Sequence, residues 1–126
     1  NKLQEYIYEQ NRGIVDYIKK LKVPVICFPR GIKDYKSFVN YVKPNAISID
    51  YDSKPEKIIE KIDIPIQGGI NPKILLSDKI KIKKEVNKFK GIFKGHPYIF
   101  NLGHGILPDT SPKMVEYFIK TIKDKQ

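Results

Sequence analysis

The sequence is poor in the residues that build metal centres and disulfide frameworks. Its 126 residues include one cysteine, two histidines, one methionine and no tryptophan. A single cysteine cannot form an internal disulfide, and Cys27 lies in an apolar segment where a small buried side chain is expected. His96 and His104 flank a predicted strand at opposite ends, so no metal-ligand cluster is expected. With no recognisable signal peptide, we predict a cytoplasmic protein that holds no metal.

Long apolar runs and acidic residues are also scarce. No apolar run approaches the ~20 residues that cross a membrane, so no membrane association is expected. Lysine and arginine number 24 against 14 aspartates and glutamates, which gives a net charge of +10. The lysines are spread along the predicted helices, and no aromatic–basic RNA motif or zinc knuckle occurs. We therefore expect no nucleic-acid partner, although a basic mouth would suit a substrate that carries many carboxylates.

Apolar periodicity predicts about four strand–helix units after a first helix over residues 3–21. Their strands are predicted at 23–28, 46–51, 64–67 and 99–102, and their helices at 35–42, 53–62, 82–91 and 111–122. The first strand, over 23–28, is continuously apolar, which is typical of a parallel strand covered on both faces. Ser53 and Ser111 stand where helix caps are expected, each followed by a proline near the helix start. The pattern indicates an α/β fold, either a β/α barrel or a doubly wound sheet.

Four units amount to about half of a (β/α)8 barrel, which normally needs about 250 residues. No linker or domain boundary interrupts the chain, so we predict one partial domain over residues 1–126. Standing alone it would leave two open sheet edges, which native proteins avoid. Either the rest of the barrel is supplied elsewhere or the chain is a fragment of an enzyme, and we favour the fragment.

Functional groups of a barrel gather at the carboxyl ends of its strands. The residues at those positions here are Arg30, Asp50, Gln67, Gly68, Gly69, Gly103, His104 and Gly105. Glycines on both sides of His104 allow a ligand to approach closely. Arg30 either contacts a ligand or is a surface charge, whereas Asp50 is expected to support the structure by bonding to loop N–H groups. His96, at the opposite end of its strand, is also expected to be structural.

Four segments carry a resemblance to one enzyme family. Residues 98–108, YIFNLGHGILP, resemble the closing strand of the uroporphyrinogen decarboxylases, which carries a substrate-contacting histidine. FPRG at 28–31 resembles an FxKG-type turn of that family, with Arg30 in the basic position. ISIDY at 47–51 resembles its VGLDW strand, and QGGINP at 67–72 resembles its QGNLDP turn with two departures. The order of these segments agrees with the C-terminal half of the enzyme.

The resemblance implies cofactor-free removal of carbon dioxide from the acetate side chains of uroporphyrinogen, giving coproporphyrinogen in haem biosynthesis. It implies that His104 hydrogen-bonds a substrate carboxylate or, as the weaker alternative, transfers a proton. Gly103 and Gly105, with Arg30 and Gln67, are then further candidates for substrate binding. None of the family's catalytic aspartate, arginines, tyrosine or serine has a counterpart here. The isolated chain is therefore expected to be inactive, to need the N-terminal half and, when complete, to form a homodimer.

Three other protein classes are alternatives to this family. Zinc-dependent methyltransferases of the same superfamily need a His-x-Cys pair near the FPRG turn, which this sequence lacks, and are excluded. A phosphate-binding barrel stays open because IPIQGGI at 64–70 resembles a phosphate-binding strand–GGI turn, although such barrels do not close on FNLGHGILP. A non-catalytic half-barrel scaffold also stays open until activity is tested.

Overall fold

A computed structural model describes residues 2–124 and shows a sheet of four strands with helices between them. The strands are β1 (Ile26–Cys27), β2 (Ala46–Ile49), β3 (Ile66–Gly68) and β4 (Tyr98–Ile99). All neighbouring strands pair in parallel and lie side by side in chain order. This order, with a helical crossover at each step, is that of consecutive units of a β/α barrel. The prediction of an α/β fold with about four parallel units is confirmed.

Five α-helices accompany the strands within residues 2–124. They are α1 (Glu9–Lys20), α2 (Tyr35–Val42), α3 (Pro55–Ile59), α4 (Lys79–Ile92) and α5 (Pro112–Lys123). A π-helical turn over Gln4–Tyr8 leads into α1, and a 3₁₀ helix over Pro72–Leu76 follows β3. Asp34 and Asp78 cap α2 and α4 by accepting hydrogen bonds from the N–H groups of Ser37 and Lys81. Among the described residues, every helix is too short or too polar to span a bilayer.

Element ends differ from the prediction where tertiary contacts decide them. β1 is an edge strand whose ladder with β2 begins at Ile26, so it is shorter than the predicted strand over 23–28. Val25 before it donates to the Asn45 side-chain oxygen at 2.9 Å and accepts from the Asn45 N–H at 2.9 Å. α3 ends at Ile59, yet Ile62 beyond it is still buried. α4 continues through Gly91 to Ile92, and the chain reverses at Gly95, whose φ of +87° is in the left-handed region. The predicted stop at Gly91 was therefore wrong.

The predicted cap position of Ser111 is confirmed, whereas that of Ser53 was wrong. Ser111 occupies the cap position of α5, but its side chain makes no cap hydrogen bond. Lys54, rather than Ser53, precedes α3, and the Ser53 hydroxyl is instead hydrogen-bonded to Tyr35 at 3.0 Å. Pro55 and Pro112 supply the helix starts, because their fixed φ suits the first helical position.

The two faces of the sheet have different surroundings. Ile47, Ile49 and Ile66 point to the helices and are fully buried, together with Phe38, Val42, Ile82 and Val86. Side chains alternate along a strand, so the register places Ile26, Ser48, Gln67 and Ile99 on the opposite face. Ile26 and Ile99 are 46% and 42% exposed there. In a closed barrel this face would be the interior.

Candidate functional site at the strand ends

Asp50, immediately after β2, holds the loop that follows β1. Its Oδ2 accepts a hydrogen bond of 2.7 Å from the N–H of Gly31, whose φ is +77°. The Asp50 side chain and backbone are only 7% exposed. A carboxylate is a strong acceptor for such an N–H. Asp50 thus makes the loop contact that the sequence predicts for it, and the segment containing Arg30 is attached to β2.

Tyr35 anchors the same region from the first turn of α2. Its hydroxyl accepts a hydrogen bond of 3.1 Å from the Asp50 N–H and lies 3.0 Å from the Ser53 hydroxyl. Burial raises the pKa of Tyr35, so the phenol stays protonated at neutral pH and can donate to Ser53. Sequence reasoning missed this role because Tyr35 was read only as an apolar position of a helix.

Gly103 allows the loop after β4 to pack closely against the end of β2, which also contacts the Gly31 loop. Its N–H donates to the carbonyl of Ile70 at 2.7 Å, and the glycine is buried. A Cβ at this position would lie 2.8 Å from the Tyr51 Cα and 2.9 Å from the Asp50 carbonyl carbon. Its N–H is therefore not free for a ligand. What Gly103 contributes is the close approach of its loop to the Asp50–Tyr51 peptide.

His104 follows on this seated loop and is exposed. Among residues 2–124 its side chain has no hydrogen bond or ion pair. The next residue, Gly105, is exposed too, and no heavy atom beyond its chain neighbours lies within 4 Å of where a Cβ would be. The imidazole therefore keeps its full hydrogen-bonding capacity for a ligand at the strand ends.

Gln67 and Arg30 differ in how they are held. The Gln67 Nε2 donates to the Ser48 hydroxyl at 3.3 Å, on the open face of the sheet. Arg30 is exposed, and its guanidinium has no bonded partner among the described residues. The structure thus brings the loops of Arg30 and His104 against the same strand end, but it forms no bond between their side chains. Ser48 was missed, although a lone serine in an apolar strand was a readable signal.

The Gly68–Gly69 turn is built more tightly than the sequence alone indicates. The φ angles of Gly68 and Gly69 are +86° and +87°, in the left-handed region. The Gly69 N–H donates to the Ile49 carbonyl at 3.1 Å. The Tyr98 hydroxyl donates to the Gly68 carbonyl at 2.6 Å, while its ring stacks on Phe93 at 3.9 Å. Because the Gly69 N–H is occupied, it cannot serve as a phosphate-binding donor in this conformation.

The site contains no metal-ligand cluster within the part of the chain that the structure describes. No group of three or more histidine, cysteine, aspartate or glutamate residues in that part could hold an ion. Cys27 is buried, and burial raises the pKa of its thiol. The strand ends instead offer an imidazole, a guanidinium and an amide. These groups suit an anionic, hydrogen-bonding ligand.

Comparison with known proteins gives a consistent result. The family model described as uroporphyrinogen decarboxylase matches residues 1–125. A curated uroporphyrinogen decarboxylase of Rickettsia bellii is 35% identical over 125 residues, which cover 96% of this chain and 37% of that protein. One of Wolbachia sp. subsp. Drosophila simulans is 33% identical over 123 residues, covering 95% of this chain and 36% of that protein. The chain thus spans little more than a third of the length of these relatives, and by the near-complete match it belongs to the uroporphyrinogen decarboxylase family.

Proposed function

We propose that this chain supplies the C-terminal part of a uroporphyrinogen decarboxylase, as a single partial domain. The reaction removes carbon dioxide from acetate side chains of uroporphyrinogen without a cofactor. The observation that carries the proposal is the imidazole of His104, which is exposed and has no bonded partner within residues 2–124. It stands on a loop that Gly103 allows to pack against the end of β2. It lies in the stretch that most resembles the family.

The substrate carries many carboxylates, which sets the chemistry expected of this surface. An imidazole N–H at His104 hydrogen-bonds one carboxylate, and the exposed guanidinium of Arg30 binds another. Gln67 offers an amide on the face that a closed barrel would enclose. Gly105 leaves room for the substrate beside His104. The net charge of +10 favours approach of a polyanion.

Carbon dioxide loss from a pyrrole acetate leaves an electron pair that a protonated ring must absorb. A free carboxylate facing the pyrrole N–H groups would stabilise this cation. Oδ2 of the strand-end carboxylate Asp50 accepts from the Gly31 N–H and the residue is only 7% exposed, so little of this carboxylate is open to a substrate. We therefore propose that the chain alone is inactive and acts with the remainder of the barrel, in a cytoplasmic homodimer.

The test is decarboxylation of uroporphyrinogen by the chain alone and after mixing with the separately produced remainder of the barrel from a relative. Products are oxidised and separated by their number of carboxylates. Activity is expected only in the mixture, and His104→Ala should lower kcat/KM at least about tenfold, as loss of a hydrogen bond to a charged group predicts. Turnover by the chain alone would refute the proposed inactivity.

His96→Ala is the matched control, because it removes the same side chain from the opposite end of β4. His96 Nε2 lies 3.1 Å from the Ile64 carbonyl, so this variant should lose some stability but keep kcat/KM at a temperature where it is folded. Equal loss of activity in the two histidine variants would argue against a substrate contact at His104. A mixture of folded parts without activity would favour the scaffold interpretation.

A further inference from the structure

A cleft of about 670 Å³ opens beside the strand ends, between the β1–α2 loop and α3. Gly31 and Asp50 form the border that it shares with the candidate site. The rest of its wall belongs to the helical layer, with residues 32–36 on one side and residues 52–62 on the other. Of these residues, Tyr35 and Ser53 support Asp50 in the candidate site, and the others have no part in it. Its lining therefore needs a separate explanation.

Lysines dominate the rim of this cleft. Its lining includes Lys33, Lys36, Lys54, Lys57 and Lys61. All five are exposed, and among residues 2–124 none of their ammonium groups has a hydrogen bond or ion pair. The ion pairs in that part of the chain, Arg12–Asp16 and Lys81–Asp78, lie elsewhere. Several unpaired cations around one concavity raise the local concentration of anions.

The three aspartates in the lining offset the charge of these five lysines only in part. Asp34 accepts from the Ser37 N–H at 3.0 Å and from the Ser37 hydroxyl at 2.6 Å. Asp50 accepts from the Gly31 N–H at 2.7 Å. Only Asp52 of the three lining aspartates has no such bond among the described residues. These bonds fix the positions of two carboxylates and leave their charge in place, so the excess of positive charge rests on five lysines against three aspartates.

The floor of the cleft is apolar. Tyr35 and Ile62 are buried at its base, and Ile32 and Ile58 are half-buried beside them. An apolar floor below a cationic rim fits a ligand whose body is apolar and whose periphery carries several negative charges. An inorganic anion would leave this floor without a partner.

We propose that the cleft binds a small aromatic polycarboxylate, at a site separate from His104. The ring packs on Tyr35, Ile58 and Ile62, and the carboxylates pair with lysines of both walls. The proposal does not depend on decarboxylase activity, since it concerns binding alone. It would hold for a chain without any turnover.

The test is a titration of the full chain with benzene-1,3,5-tricarboxylate at low salt, followed by amide NMR shifts. Shifts should concentrate in residues 31–36 and 50–62. Propane-1,2,3-tricarboxylate, which carries the same charge without a ring, should bind several-fold more weakly. Equal affinity for the two probes would overturn the apolar part of the proposal, and shifts confined to residues 101–105 would overturn the location.

Charge variants separate a built site from general attraction to a basic chain. Lys57→Gln with Lys61→Gln should weaken binding about fivefold to tenfold, as the loss of two exposed charge pairs predicts. Lys83→Gln with Lys84→Gln makes the same charge change on α4, outside the cleft, and should alter affinity less than about twofold. Equal weakening by both pairs would overturn the proposal.

Two further double variants test the site even if Lys57→Gln with Lys61→Gln disturbs the structure of α3. Lys57→Arg with Lys61→Arg preserves the charge and should preserve affinity. Lys33→Gln with Lys36→Gln, on the opposite wall, should weaken binding as the first pair does. Unchanged affinity after the loss of charge on either wall would refute the proposed two-walled site.

Discussion

Gly103 packs directly against the peptide that joins Asp50 to Tyr51. A Cβ there would lie 2.8 Å from the Tyr51 Cα, closer than a side chain can approach a backbone atom. The Gly103 N–H is at the same time bonded to the Ile70 carbonyl. This glycine is thus required by the space around it, and the position of the His104 loop depends on that contact.

Replacing Gly103 with alanine should lower the free energy of unfolding by about 1–3 kcal/mol, the usual cost of overpacking. The added methyl group must push the loop away from the backbone at Tyr51, so His104 should move as well. Urea denaturation measures the loss, and amide shifts at residues 104 and 105 report the movement. Gly105→Ala is the control and should change stability by no more than about 0.5 kcal/mol, because the space around Gly105 is open. Equal effects of the two substitutions would contradict the packing argument.

Replacing Asp50 with alanine should cost about 1–3 kcal/mol, since the Gly31 N–H would lose its acceptor. Asp50→Asn keeps an acceptor oxygen of the same size and should cost less. Hydrogen exchange of the Gly31 amide provides the direct measurement, with faster exchange expected in the alanine variant than in the asparagine variant. Unchanged exchange in Asp50→Ala would show that the 2.7 Å bond does not hold this loop.

Tyr98 should make the protein sensitive to alkaline pH. Burial raises the pKa of Tyr98, so the phenol contributes stability that is fully present below the ordinary tyrosine pKa of about 10. That contribution is lost as pH rises above this value, because the unfolded chain releases its proton first. Tyr98→Phe should be about 1 kcal/mol less stable at pH 7, where it lacks the bond to Gly68, and should lose less stability above pH ~10.

Tyr17→Phe is the control for this titration, since Tyr17 is 66% exposed. It should follow the original chain in denaturation experiments at neutral and alkaline pH. If both phenylalanine variants lost as much stability at alkaline pH as the original chain does, the loss would arise at other groups. The assignment to Tyr98 would then fail.

Asp34 should make the stability of the protein sensitive to acid. Its two hydrogen bonds from Ser37 lower the pKa of the Asp34 carboxyl. A lowered pKa gives stability that is present above the ordinary aspartate value of about 3.9 and is lost as pH falls through the folded value. Asp34→Ala should cost about 1 kcal/mol at neutral pH through loss of the cap, and the difference should shrink in acid.

Asp34→Asn separates the cap from the charge, because it can cap α2 without titrating. It should stay close to the original chain at neutral pH and lack this part of the acid dependence. Denaturation at pH 7 and below pH ~3 measures both effects. A constant difference between the original chain and Asp34→Ala across this range would rule out ionisation of Asp34 as the cause.

Much of the architecture could be predicted because the strands are short and rich in isoleucine. Residues such as Ile47, Ile49 and Ile66 have a burial pattern that depends mainly on their own segment and on helices on one side. The ends of β1 and α3 could not be predicted in the same way. An edge strand extends only as far as its neighbour pairs with it, and the start of β2 at Ala46 sets that limit for β1.

By itself, the sequence determined the class of fold, the order of the four units and, through FNLGHGILP, the family. Local apolar periodicity and a contiguous motif are properties of single segments, so they can be read without coordinates. Only the tertiary structure decided which groups at the strand ends remain free. Asp50 is engaged with Gly31, Gly69 with Ile49 and Gly103 with Ile70, whereas the side chain of His104 has no partner among the described residues. These bonds join residues that are distant in the chain, and their lengths depend on how three loops pack around the end of one strand.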